Sequence, residues 1–265
     1  MKLDMIYSTF DERIYSLLKS LPKENENVSI IIIHQVNNKK FKDIESKIKS
    51  RSDILYHQIN STGVTKSRNT GINLAKNEII LFCDDDVIYS DDLYDTVINA
   101  YKDNPKFGYI TFQYGFIGKN SPAPKFRNEK FKHSLRTILS IGTIEISCLR
   151  KALIRNKIYF PEDMGAGEKY FICDEPVFLS KLYKKNIPGL FIPKIIGFHP
   201  EISSGSIFND SNAFISRKLC FTRIFGKLYG NFLFVAFILK NLKKFNSPKS
   251  FFSALFSTTN KLNDS

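Results

Sequence analysis

The sequence predicts an α/β domain followed by a basic, phenylalanine-rich helical segment. Three observations predict it. Short β-branched runs alternate with helix-period segments through the first hundred residues. One of those apolar runs ends in three consecutive aspartates. Charge and aromatic content then collect at the far end: residues 209–265 hold nine of the 39 Lys and Arg against two Asp, and ten of the 24 Phe.

Leu3–Ser8 reads as a strand. Thr9-Phe10-Asp11-Glu12 reads as a capping box, with Thr9 as N-cap and Glu12 three residues on, opening a helix to about Ser20. Val28–His34, VSIIIIH, is a continuous β-branched run of the kind buried on both faces of a sheet. Phe41–Ser50 is helical and Ile54–Ile59 a strand. Gly63 opens a helix over Val64–Lys76. Glu78–Cys83 is another buried strand, and it runs into Asp84-Asp85-Asp86. Ser90 caps the next helix, with Asp91 and Asp92 in its first turn, where the helix dipole favours negative charge. This β-α-β-α-β-α-β-α order predicts a mostly parallel sheet with helices on both faces. Ligands of such sheets bind outside the carboxyl ends of the strands, where the aspartates lie.

Beyond residue 105 the pattern is less regular. Phe107–Phe116 and Ile138–Leu149 read as strands, and residues 118–130 as a loop. Pro161–Lys169, with Gly165 and Gly167, reads as a mobile loop. Asp174–Lys185 is a helix and Gly189–Phe198 a strand. A composition shift near 205 divides the chain into 1–205 and a tail, 206–265.

A chain of 265 residues with 43% hydrophobic and 25% charged residues buries a core without disulfides or a structural metal. Its net charge of +13 favours an acidic partner: nucleic acid, anionic lipid or a phosphorylated small molecule. Cys83, Cys148, Cys173 and Cys220 form no CxxC pair and suit reduced thiols. Asp4, Asp11 and Glu12 interrupt any export signal. The late uncharged run Leu228–Leu239 is too short for the roughly 18–20 residues of a membrane span. The expected location is the cytoplasm, with peripheral contact at the inner face of the membrane as the role open to the tail.

Three adjacent carboxylates at a strand end repel one another, and a cation relieves that repulsion. Oxygen ligands suit Mg²⁺ or Mn²⁺ shared with substrate phosphates. In Gly63-Val-Thr-Lys-Ser-Arg-Asn-Thr-Gly71, the glycine allows a sharp turn into a helix. The free N–H groups of that helix, with Lys66 and Arg68, would favour an anion.

Together these parts resemble the GT-A glycosyltransferases of family 2, over about residues 3–205. The segment from Met164 to Leu179, with Asp174-Glu175 opening a helix after a glycine-containing loop, resembles the family's later acidic motif. The resemblance implies a GT-A fold, with a nucleotide-binding half over about 1–116 and an acceptor-binding half over about 117–205. It implies an inverting, metal-dependent transfer from a nucleoside-diphosphate sugar, UDP favoured, to a glycan or lipid-linked acceptor. Asp84 then corresponds to the nucleoside-binding position, Asp85 to the middle of the D-x-D motif and Asp86 to the ligand of Mn²⁺ or Mg²⁺. Ser8 and Thr9 form the nucleotide-facing edge. Lys66 or Arg68 stands near the diphosphate. Family members usually show Glu-Asp with the second residue as base, which maps onto Glu175; the swapped order leaves Asp174 open. Many relatives end the second strand with Asp-Asp-Gly-Ser, where an Asp reads the base; here Gln35 stands, whose amide suits a uracil edge. His199 corresponds to a late metal- or phosphate-contacting histidine in some relatives.

Two other classes use the same features. A nucleic-acid-binding protein fits the charge, but no RNA- or DNA-binding module is visible and unmetallated aspartates would repel phosphate. A nucleotidyltransferase would carry a glycine-rich basic loop after the first strand, where Ser8-Thr9-Phe10-Asp11-Glu12 stands. Intact acidic groups argue against a catalytically dead sugar-nucleotide binder. In the tail, Phe214, Phe221, Phe225, Leu228, Phe232, Val235 and Leu239 recur at helical spacing. They read as a helix packed on the core or lying on a membrane surface, with Lys240, Lys243 and Lys244 at the lipid headgroups.

Overall fold

The structure, a computed structural model, describes residues 1–37, 41–119, 121–201, 208, 210–245 and 248–256. Among them, nine strands form one sheet. They are β1 (Leu3–Phe10), β2 (Val28–Gln35), β3 (Ile54–Ile59), β4 (Ile79–Asp84), β5 (Ile88–Tyr89), β6 (Tyr109–Phe116), β7 (Phe131–Lys132), β8 (Ile146–Leu149) and β9 (Gly189–His199). Their order is β3-β2-β1-β4-β8-β6-β9-β5, with β7 beside β9. The β3-β2-β1-β4 half is parallel, as the alternating sequence pattern requires. β8 then pairs antiparallel with both β4 and β6.

The helices are α1 (Arg13–Ser20), α2 (Ile44–Ile48), α3 (Val64–Leu74), α4 (Leu93–Asp103), α5 (Arg150–Asn156), α6 (Asp174–Lys184), α7 (Ser211–Phe225), α8 (Lys227–Lys240) and α9 (Pro248–Leu255). Strand alternation sorts the core onto two faces of the sheet. Ile30 and Ile32 of β2 join Leu3, Met5 and Tyr7 of β1 against Ile14 and Leu17 of α1 and Val97 of α4. Ile31 and Ile33 join Ile6 and Phe82 on the opposite face, against Ile72 of α3, Leu153 of α5 and Phe178 of α6. Four successive isoleucines thus serve two cores, which is why the run shows no polar interruption.

Several boundaries differ from the sequence reading. Thr9 lies inside β1, and α1 begins at Arg13 with no side-chain cap. The expected capping box is absent because the Thr9 hydroxyl donates to Asp85 instead. The Ser90 hydroxyl bonds the Ile196 carbonyl, and Asp91 and Asp92 precede α4. The expected helix over Phe41–Ser50 keeps its middle, α2. The expected strand Ile138–Leu149 is two 3₁₀ turns, Thr137–Ser140 and Thr143–Glu145, leading into β8. Ile138, Ile141 and Ile144 are all buried, and their spacing of three is the 3₁₀ period.

The tail is not one helix. Gly226, at φ +84°, ends α7 and starts α8. A Cβ on Gly230 would stand 2.5 Å from the Phe221 carbonyl oxygen, so α8 packs closely on α7. The expected boundary near 205 falls within 202–207, outside the described residues. No helix among the described residues is long and apolar enough to cross a membrane.

Candidate active site at the carboxyl edge of the sheet

Alternation also divides the aspartate triplet. Ser8 and Asp84 are neighbours in register and share the Ile6/Phe82 face, toward α3 and α6. There, Ser67 of α3 donates to Ser8 Oγ at 2.9 Å, and Arg68 Nη2 lies 3.2 Å from Asp84 Oδ1. Thr9 and Asp85 belong to the α1 side. Thr9 Oγ1 donates to Asp85 Oδ2 at 2.7 Å. Arg13, the first residue of α1, pairs with Asp85 Oδ1 and stands 3.5 Å from Asp86 Oδ2. Burial pushes the Asp85 carboxyl up, while Thr9 and Arg13 pull it down. Arg68 beside Asp84 and Arg13 beside Asp85 and Asp86 offset part of the triplet's charge, while Asp84 and Asp86 still push the Asp85 carboxyl up.

Arg68 also donates from Nη1 to Asp174 Oδ2 at 2.8 Å, with its guanidinium 5.4 Å from the centre of the Phe160 ring. Its side chain is 5% exposed. It joins the end of β4 to the start of α6 and so brings Asp84 and the Asp174-Glu175 pair into one site. Burial, with Glu175 alongside, pushes the Asp174 carboxyl up against the pull of Arg68.

The rest of the Gly63–Gly71 segment clamps the 160–168 loop. Val64 N–H donates to Ala166 O at 2.9 Å and Thr65 Oγ1 to Met164 O at 2.9 Å. Asn69 Nδ2 donates to Phe160 O at 3.1 Å and to Glu162 at 3.0 Å, while its Oδ1 accepts from Phe160 N–H at 2.8 Å. Lys66 pairs with Glu168 at 2.7 Å. The loop read as mobile is seated on α3. A side chain on Gly63, at φ +98°, would strike the Glu168 carboxylate. At the start of α3, where an anion was expected, the Ala166 carbonyl meets Val64 N–H, Glu168 meets Lys66, and Asp84 and Asp174 meet Arg68.

Gln35, buried at the end of β2, donates from Nε2 to Ser61 Oγ at 3.1 Å and to Gly63 O at 3.0 Å. Glu175 is half-buried and accepts from Thr143 Oγ1 at 2.6 Å. Close to it electrostatically, the fully buried Glu145 pairs with Lys125 and accepts from Gly142 N–H at 2.8 Å. Burial pushes the Glu145 carboxyl up to about 7, with Lys125 opposing, and Glu145 Oε2 has no hydrogen-bond partner.

His199 closes β9 with Nε2 3.8 Å from Asp86 Oδ1. Its Nδ1 meets the Pro200 carbonyl oxygen, which can only accept, so Nδ1 donates there and Nε2 is the atom turned toward Asp86. One oxygen and one nitrogen donor fit a Mn²⁺ or Mg²⁺ that completes its shell with water and phosphate oxygens. Among the described residues no larger set of His, Cys, Asp or Glu gathers as a metal site.

The sequence reading missed Arg13, Thr143, Lys125, Glu145 and Glu168. Arg13 had a signal: the first turn after β1 opens at the edge where β4 ends. For the others, contacts between distant segments leave no local pattern.

The glycosyl transferase family 2 profile matches residues 7–160, more than half of the chain. The chain is 27% identical over 179 residues to poly(ribitol-phosphate) beta-N-acetylglucosaminyltransferase TarS of Staphylococcus aureus, covering 63% of this chain and 31% of that protein. It therefore spans about a third of the length of that relative. The crystal structure of S. aureus TarS 1–349 in complex with UDP-GlcNAc superposes with a TM-score of 0.64 at 17% identity, over 92% of this chain and 73% of that one. Mannosyltransferase PcManGT from Pyrobaculum calidifontis, in complex with GDP-Man and Mn²⁺, superposes with a TM-score of 0.54 at 14% identity, over 97% and 68%. Fold, acidic strand end and profile agree, and the chain belongs to glycosyl transferase family 2.

Proposed function

We propose that the chain transfers a sugar, with inversion, from a nucleoside-diphosphate sugar to a hydroxyl of a glycan or lipid-linked acceptor. UDP is the favoured nucleotide, in line with the UDP-GlcNAc bound by the TarS neighbour. Residues 1–116 serve the nucleotide, 117–205 the acceptor, and 206–265 attachment. The observation that carries the reading is the split within Asp174-Glu175. Asp174 is buried on Arg68, whereas Glu175 is half-buried and oriented by Thr143.

The acceptor oxygen bonds to the anomeric carbon as the bond from that carbon to the diphosphate breaks. The acceptor proton passes to the Glu175 carboxylate, and the electron pair leaves with the diphosphate. Attack opposite the leaving group inverts the anomeric centre. Asp84 and Gln35 Oε1 face the nucleoside, with Ser8 and Thr9 along its edge. Asp174 and Arg68 fix the start of α6, and hence the Glu175 backbone, relative to the end of β4. Asp86 and His199 would hold Mn²⁺ or Mg²⁺, whose charge offsets that of the departing diphosphate.

The test compares Glu175→Gln with Asp174→Asn at saturating UDP-sugar and acceptor. Glu175→Gln keeps donor binding and loses turnover by roughly 10²–10⁴. Asp174→Asn acts mainly on melting temperature. Parent turnover in Glu175→Gln with a dead Asp174→Asn would reverse the assignment.

A further inference from the structure

The helix α8 is apolar on two sides, and the fold uses one of them. Gly230, Phe234 and Ile238 are buried, the last two in a cluster with Phe214 of α7 and Ala254 of α9. On the other side Leu228, Phe232, Val235 and Leu239, continued by Leu242, recur at spacings of 4, 3, 4 and 3. Leu228 is 90% exposed, Phe232 67% and Leu239 51%. Phe252 and Phe256, from α9 and just beyond it, are also exposed. The first half of the stripe read from sequence, Phe214 to Phe225, turned inward; the second half did not. A helix apolar all round is at home only where both sides meet apolar matter.

Charge identifies what meets the exposed side. Residues 211–256 contain eight Lys and Arg and no Asp or Glu. Lys227 at one end of the stripe, and Lys240, Lys243 and Lys244 at the other, are all exposed. We propose that this face of α8 docks on an anionic lipid surface, with the stripe among the acyl chains and the lysines at the headgroups. At about 21 Å from Leu228 to Leu242 the stripe is too short to span a bilayer and suits a helix lying in its plane. A second copy of the chain is the poorer occupant. It would bring two acid-free lysine sets together with nothing in the segment to offset them. α7, on which α8 packs, reaches the loop beside the candidate site, where Arg223 donates to Asp163 at 2.8 Å. Docking would thus hold the acceptor side of the molecule near the membrane plane.

The experiment measures vesicle binding without donor or acceptor, so its result is independent of the glycosyl-transfer reading. The full chain is sedimented with vesicles of phosphatidylcholine containing phosphatidylglycerol at about one part in three. Binding is expected at about 0.05 M salt, with a loss on the order of tenfold at about 0.5 M and none to phosphatidylcholine alone. Two variants divide the surface. Phe232→Glu with Leu239→Glu removes apolar contact, and Lys240→Gln, Lys243→Gln and Lys244→Gln remove charge alone. Each is expected to weaken binding on the order of tenfold or more, with an unchanged melting temperature. Absence of binding by the parent at low salt overturns the proposal, as does parent-like binding by both variants. A parent that dimerises, ignores vesicles and becomes monomeric in the Phe232→Glu/Leu239→Glu variant also overturns it, in favour of a second copy on this face.

Discussion

Arg68 and Arg13 each stand between two carboxylates at the same edge of the sheet, in opposite surroundings. Arg68 is 5% exposed, on the α3 side; Arg13 is 59% exposed, on the α1 side. Arg68 holds Asp84 and Asp174 together, tying two halves of the fold. Arg13 holds Asp85 and reaches toward Asp86, whose own carboxylate is 43% exposed. A buried ion pair is costly to break, because the partner left behind keeps an uncompensated charge in low dielectric. An exposed pair is worth little and is readily replaced. The buried Arg68–Asp174 pair is therefore scaffold, and the exposed Arg13 guanidinium beside Asp86 is open to exchange with a ligand or cation.

The largest effect that tests this contrast is expected from Arg68→Met. Removing the guanidinium strands the Asp174 carboxylate, and a loss of about 3–5 kcal/mol in unfolding free energy follows. Arg68→Lys does not restore it, since an ammonium cannot bridge two carboxylates with a planar fork. Urea denaturation gives the measurement. A variant within about 1 kcal/mol of the parent would remove the scaffold role of Arg68.

Next in size is a pH effect at Glu145, close to Glu175. Glu145, buried beside Lys125, has its carboxyl pushed up from 4.5 to about 7. The folded chain then holds a proton that the unfolded chain has released, so this group's contribution to stability falls as pH rises from about 4.5 to about 7. Buried His133, pushed down to about 4, acts oppositely below its ordinary range. The difference between parent and Glu145→Gln isolates the carboxyl. It should shift in favour of the variant by up to about 3 kcal/mol between pH 5 and pH 8. A pH-independent difference would mean that Lys125 fully compensates the buried charge.

The two arginines also show what the sequence made legible. The parallel half of the sheet was readable because β-branched runs, helix periods and breakers all agreed there. The aspartates were readable as a site because acids directly after a buried strand conflict with packing. The Ser67-Arg68-Asn69 segment was readable as important but not for its task. Its partners, Ser8, Asp174 and Phe160, lie 59, 106 and 91 residues away, and no spacing rule reaches that far. The swapped pair Asp174-Glu175 leaves two bases open in the sequence, and the hold of Arg68 on Asp174 is what favours Glu175 in the proposed assignment. In the tail, periodicity gave the stripe but not the break at Gly226, and so not which half of it faces outward.

The smallest expected effect on stability is the most informative about function. Arg13→Ala takes an exposed guanidinium from the buried Asp85 carboxyl, which keeps its bond from Thr9 and, already pushed up by burial, can take up a proton instead; the cost in metal-free buffer should be about 1–2 kcal/mol, below that of Arg68→Met. Yet Arg13 is the positive charge nearest Asp86 and therefore competes with any cation drawn there. Without it, Asp85 and Asp86 lose their counter-charge, and Mn²⁺ becomes the remaining way to supply one. Mn²⁺ should accordingly raise the melting temperature of Arg13→Ala more than that of the parent, and a chelator should abolish the gain. Asp86→Ala should lose the Mn²⁺ response whether or not Arg13 is present, and with it the Mn²⁺-dependent part of UDP affinity measured by calorimetry. His199→Gln should weaken the response less, since a carboxylate oxygen and the diphosphate remain. If Mn²⁺ stabilises Arg13→Ala and the parent equally, the guanidinium does not compete for the site. If Asp86→Ala keeps the full response, the cation binds elsewhere, and the contrast between a fixed and an exchangeable arginine loses its functional half.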